Sequence, residues 1–81
     1  MTDVEPVRTF IRRQFLFDAD AELHDADALF PEVIDSLGVM ELVTFIEEQY
    51  DIAIDEDELL VDNFRSLDAI RSLVERKRDA A

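Results

Sequence analysis

Ser36 is the one serine in a distinctive setting, between Asp35 and Leu37 at the start of an apolar-periodic run, where a hydroxyl can act as a nucleophile or accept a covalent group. A hydrolase triad is not readable around it. No G-x-S-x-G turn surrounds the serine, and the only histidine, His24, lies in an acidic stretch beside Asp25. A lone loop histidine reads as a solvated or capping side chain. The chain has no cysteine, so thiol chemistry requires an added group.

Two acidic stretches imitate calcium loops and fail. Starting at Asp51, Asp55 and Asp57 fall in ligand slots, but Ala53 breaks the pattern, Glu56 stands where glycine is needed and Asp62 replaces the bidentate glutamate. Starting at Asp18, Leu23 takes the glycine slot and Leu29 the glutamate slot. With no glycine-rich phosphate cradle and no Cys or His cluster, the residues point to a non-catalytic carrier or adaptor and to no metal site.

The elements that position Ser36 belong to one small acidic domain, expected to span residues 1–81. Of 81 residues, 21 are acidic and 8 basic, a net charge of -13, while a 48% hydrophobic content argues against a disordered acidic tail. Residues 18–62 hold 16 carboxylates and no Lys or Arg, whereas 1–17 sum to +1 and 63–81 to +2. That charge repels phosphate backbones and anionic membranes, so basic protein partners are expected and nucleic acid is not. Carboxylates without local cations are expected to make both stability and docking depend on salt, with screening over about 8 Å at physiological ionic strength. The acidic start Met1–Pro6 is unlike a secretion signal and no apolar run reaches membrane-spanning length, so a cytoplasmic monomer without membrane insertion is expected.

Helical spacing of Val7, Phe10, Ile11 and Phe15, behind Thr2 or Asp3 as N-cap and with Pro6 in the first turn, predicts helix I over 4–16. Residues 17–34 read as a long loop anchored by Leu23, Leu29 and Phe30, with Pro31 disfavouring helix. Asp35 caps helix II, which runs to about Tyr50, and Gly38 weakens its first turn. Asp55 and Glu58 form a D-x-x-E capping pair opening a short helix III over 56–61. Ser66 caps a last helix that turns Leu67, Ile70, Leu73 and Val74 inward and ends in Arg76-Lys77-Arg78, where cations suit the dipole. The fold class is all-α, a four-helix bundle with a long first loop.

At 100° per residue, Val39, Leu42, Val43, Ile46 and Tyr50 share an arc about 100° wide, the stripe a bundle core requires. The opposite arc collects Leu37, Met40, Glu41, Thr44, Glu47 and Glu48, where apolar contact and carboxylate steering together suit reversible docking of a basic partner. For Glu47 and Glu48 alone, a merely solvated face is the plainer explanation.

The run Ile34-Asp35-Ser36-Leu37, with Glu41-Leu42-Val43 and Ile46–Ile52, resembles the acyl or peptidyl carrier protein family over roughly residues 4–78. The resemblance implies a bundle of acyl-carrier-protein type in which Ser36, flanked by Asp35 and Leu37, receives 4'-phosphopantetheine from coenzyme A. The thiol at the end of that arm holds an acyl or aminoacyl cargo as a thioester, which accounts for the absent cysteine. It also implies that Leu37, Met40, Glu41, Thr44, Glu47 and Glu48 meet the phosphopantetheinyl transferase and the cargo-handling enzymes. Gly38 departs from the acidic residue of many fatty-acid carriers, and Phe45 replaces a smaller side chain of many relatives, either narrowing an acyl cavity or filling core. Ile34–Leu42 with Asn63–Leu67 is more similar to stand-alone carriers loaded by dedicated acyl or aminoacyl ligases. The alternative is an unmodified acidic adaptor or regulatory module that binds a basic protein through the same face.

Overall fold

Val7 and Ile11, one helical turn apart and both fully buried, set the inward stripe of the first helix. The computed structural model describes residues 2–18, 20–29 and 33–80, whose regular elements are all helical, with no strand among them. Helix α1 spans Glu5–Ile11 and widens directly into a π-helical segment, Arg12–Leu16, so the first helical run covers 5–16 as the spacing predicts. Pro6 sits in its first turn. The N-cap position is Val4, without a side-chain bond; Asp3 instead accepts the Glu5 N–H at 3.0 Å, so the capping carboxylate stands one residue earlier than the cap itself. The run stops at Phe17, whose φ of 55° is left-handed and costs about 1–2 kcal/mol in a non-glycine residue.

The following loop hangs from the core by Leu23 and Leu29, both buried. Phe30 and Pro31, the other expected anchor and break, lie outside the described residues. Backbone bonds fasten the loop from the far end of the chain: Leu29 N–H donates to Arg65 O at 2.8 Å and Asp68 N–H to Asp25 O at 3.0 Å.

Helix α2 spans Ser36–Tyr50, as expected from its cap and stripe. Leu42, Val43 and Ile46 are buried; Val39 and Tyr50 pack at the rim, where the Tyr50 hydroxyl donates to Asp3 O at 2.6 Å. Asp51, left-handed at φ 55°, ends the helix.

The expected helix over 56–61 is two pieces. Asp55 and Glu58 do form the reciprocal capping box, but it closes a single 3-10 turn, Glu56–Glu58. Leu59 and Leu60 leave helical geometry, and α3 then forms over Val61–Phe64. The division places Phe64, 1% exposed, inside the core while Leu60 and Val61 stay exposed. Helix α4 spans Leu67–Ala80; Ser66 Oγ accepts the Ala69 N–H at 3.1 Å and Leu67, Ile70, Leu73 and Val74 are fully buried, as read from the sequence.

Candidate functional site

The start of α2 is fixed by Asp35. Its carboxylate accepts the Gly38 N–H at 2.7 Å, satisfying one of the donors that a helix N-terminus leaves open, and its carbonyl takes the first intrahelical bond, from the Val39 N–H at 3.0 Å. Ser36 is therefore the first residue of the helix, where amide donors and the positive dipole end favour an anionic group. Asp35 and Leu37, on either side of it, are both exposed, Leu37 at 83%. A covalent arm joined between them has solvent beside it, so the flanking positions fit a phosphate-linked group.

Gly38 has a reason the sequence does not show. It is buried, and a Cβ there would lie 2.6 Å from Phe15 Cε1 and 3.3 Å from Ile34 Cγ2. The helical propensity lost at glycine is exchanged for close seating of the Phe15 ring against the first turn of α2.

The outer arc of α2 divides into two kinds of residue. Leu37, Met40, Glu41, Thr44 and Glu48 are exposed, and the Thr44 hydroxyl donates to Met40 O at 3.1 Å. Glu47 is half-buried, and its carboxylate accepts the Ile54 N–H at 2.8 Å, holding the segment after α2. Among the described residues, Glu41 and Glu48 have no cation within ion-pair distance.

Elsewhere a few acids of the middle segment find cations from distant elements. Asp25 receives Arg8 on one oxygen and Arg71 on the other, the latter at 3.0 Å, while Arg71 also reaches Asp68 at 2.8 Å and Arg8 donates to Leu23 O. The hydrogen bond from Arg71, then that from Arg8, holds the Asp25 carboxyl below its ordinary range. Lys77 lies 2.7 Å from Glu58 and 3.3 Å from Asp55, lowering the Glu58 pKa chiefly through that hydrogen bond. Asp55, Asp57 and Glu58 bring carboxylate oxygens within 4.8 Å of one another, and the Lys77 ammonium already pairs with two of them, Asp55 and Glu58. Of the 16 carboxylates of residues 18–62, Asp25, Asp55 and Glu58 thus pair across elements with Arg8, Arg71 and Lys77, which the count of nearby cations in the sequence does not anticipate.

Sequence reasoning also did not pair Phe45 with Phe10. Phe45 stacks on Phe10, with ring centroids 4.3 Å apart and planes 16° from parallel, and Phe10 meets Phe15 edge-on at 6.1 Å. The pair lies half-buried in a groove between α1 and α2, lined also by Gln14, Glu41, Thr44 and Glu48. The i, i+3, i+4, i+7 spacing of Glu41, Thr44, Phe45 and Glu48 was the available signal.

An all-helical domain whose capped second helix opens on Asp35-Ser36-Leu37 after a long, fastened loop has the architecture of a carrier domain. Residues 7–74 match the family model described as phosphopantetheine attachment site. The chain belongs to this family, and its cofactor is covalently attached 4'-phosphopantetheine. A comparison with curated proteins finds no match. No helix among the described residues is long and apolar enough to cross a membrane.

Proposed function

We propose that this domain carries an acyl or aminoacyl group on 4'-phosphopantetheine joined to Ser36 and presents it to partner enzymes through α2. The observation that carries this reading is the family match over 7–74, within which Asp35-Ser36-Leu37 begins a capped helix bordered by exposed side chains. When bound, the group supplies the thiol that holds cargo as a thioester. The protein's residues hold and steer. Asp35 fixes where the helix starts, the amide donors of the first turn favour the phosphate, and Phe15 against Gly38 keeps that turn seated on the π-helical segment that follows α1. Leu37 and Met40 offer apolar contact, while Glu41 and Glu48 raise the encounter rate with a basic surface.

The partners in this reading are a phosphopantetheinyl transferase, which supplies the base and metal for attachment, an acyl or aminoacyl ligase, and downstream enzymes with basic docking surfaces. The domain itself acts as a monomer and turns nothing over. The test is intact mass after incubation with coenzyme A, magnesium and a broad-specificity phosphopantetheinyl transferase. A phosphopantetheine increment on the original chain and none on Ser36→Ala is expected; no increment with several transferases contradicts the assignment and favours an unmodified acidic adaptor.

A further inference from the structure

Phe17 is the most exposed large hydrophobic side chain among the described residues, at 85%, and Leu37 is next. Phe17 is also held where its side chain is disfavoured: φ is 55° and ψ 30°, the left-handed region in which glycine or asparagine sits with least strain. The position has a structural task. The N–H groups of Phe17 and Asp18 both donate to Arg12 O, closing the π-helical segment Arg12–Leu16 in the way a left-handed residue ends a helix. That task uses the backbone alone, and a glycine would perform it without strain. The ring therefore adds strain and exposed apolar surface while gaining the fold little burial.

Its place in the bundle shows what it faces. Phe15, two residues earlier, sets its ring against Gly38, two residues after Ser36. The end of the first helical run thus meets the beginning of α2, and Phe17 and Leu37 are exposed apolar side chains from separate elements at the end of the bundle that holds Ser36. An enzyme that closes on Ser36 approaches this end.

We infer that Phe17 is a recognition residue for the phosphopantetheinyl transferase, its ring entering an apolar pocket of that enzyme beside the contact made by Leu37. Strain and exposure carried by the free chain are offset when the ring is buried in the complex, the pattern of a side chain kept for a partner. The contact lies outside the acidic arc of α2 and uses no charge. The inference rests on the reading of Ser36 as the attachment site.

The test measures kcat and KM of phosphopantetheine transfer by the broad-specificity transferase, with thermal melting in parallel, for the original chain, Phe17→Asn, Phe17→Gly and Phe17→Leu. Phe17→Asn, which suits a left-handed position, is expected to melt a few degrees higher and to raise KM about fivefold with kcat unchanged. Phe17→Gly is expected to raise KM as much, and Phe17→Leu, which keeps an apolar side chain, to stay close to the original. Because the contact is apolar, the rise in KM for Phe17→Asn should be the same in low and high salt. Melting of Phe17→Asn below the original chain makes Phe17 a residue of the fold and overturns the inference. So does an unchanged KM, a loss confined to kcat, or a rise in KM that vanishes in high salt. If the original chain gains no mass at Ser36, the carrier reading fails and this inference with it; mass gain at the original KM in all three variants sinks the role of Phe17 alone.

Discussion

The loop of residues 17–34 and the outer face of α2 look alike on paper, since both are acidic and neither contains Lys or Arg, yet the folded molecule treats Asp25 of the loop and Glu41 and Glu48 of α2 oppositely. In the loop, Asp25 is clasped between Arg8 of α1 and Arg71 of α4, and its backbone carbonyl accepts from Asp68. On α2, Glu41 and Glu48 have no such partner among the described residues and border the exposed Leu37, Met40 and the Phe10–Phe45 groove. Carboxylates with cations from distant elements hold the fold together; carboxylates left facing water beside apolar surface are available to another molecule. Glu47 shows that the division runs residue by residue, for it lies on α2 yet spends its carboxylate on Ile54 N–H.

The largest effect is expected where both regions depend on the same support. Phe64 is the largest fully buried side chain, and Phe64→Ala should destabilise the domain by about 3–5 kcal/mol. Against a total of about 5–15 kcal/mol for a small domain, that shows as a large drop in the denaturant midpoint. A small shift there would mean that loop and α2 do not share one core.

Asp25→Asn sharpens the comparison itself. The folded-state pKa of Asp25 lies below its ordinary value of 3.8, so its stabilisation is complete above that value and is lost as pH falls through the folded-state value. Thermal melting should therefore show the variant less stable than the original chain at neutral pH, with the gap closing as the pH drops below 3.8. Because the clasp is open to water on one side, the loss should be smaller than for Phe64. A gap that persists unchanged at low pH would assign the effect to something other than the carboxylate.

The smallest effect is expected at Gly38→Ala. Helical propensity gains up to about 1 kcal/mol, but the new methyl overlaps the Phe15 ring, and overpacking costs about 1–3 kcal/mol. A net loss of about 1 kcal/mol in chemical denaturation is expected; a gain would mean that Phe15 moves aside freely.

What the sequence made legible follows the range of the interactions. The limits of α2, the Asp55–Glu58 box and the Ser66 cap depend on residues within a few positions of one another, and all stand where the local pattern puts them. The division of helix III depends on seating Phe64 in the core while Leu59 and Leu60 bridge to it, which no local signal encodes. The clasp on Asp25 joins residues 17 and 46 positions away, so a reading that counts cations nearby in sequence misses it. Gly38 was legible as a weak helix residue but not as the contact for Phe15. The family was legible through the pattern around Asp35-Ser36-Leu37, and the match over residues 7–74 agrees with it, whereas the groove between Phe10 and Phe45 required the packing of α1 against α2.

The most direct test of the account measures the rate at which a phosphopantetheinyl transferase adds mass at Ser36, with thermal melting in parallel, for the original chain, Asp25→Asn and Glu41→Gln/Glu48→Gln. The account predicts a crossed result. Asp25→Asn lowers the melting temperature and, below it, leaves the rate of modification unchanged; Glu41→Gln/Glu48→Gln leaves melting unchanged and slows modification, with a weaker dependence on salt. Modification of the double glutamine variant at the original rate and salt dependence, or melting lowered by it as much as by Asp25→Asn, would contradict the claim that α2 keeps its carboxylates for docking.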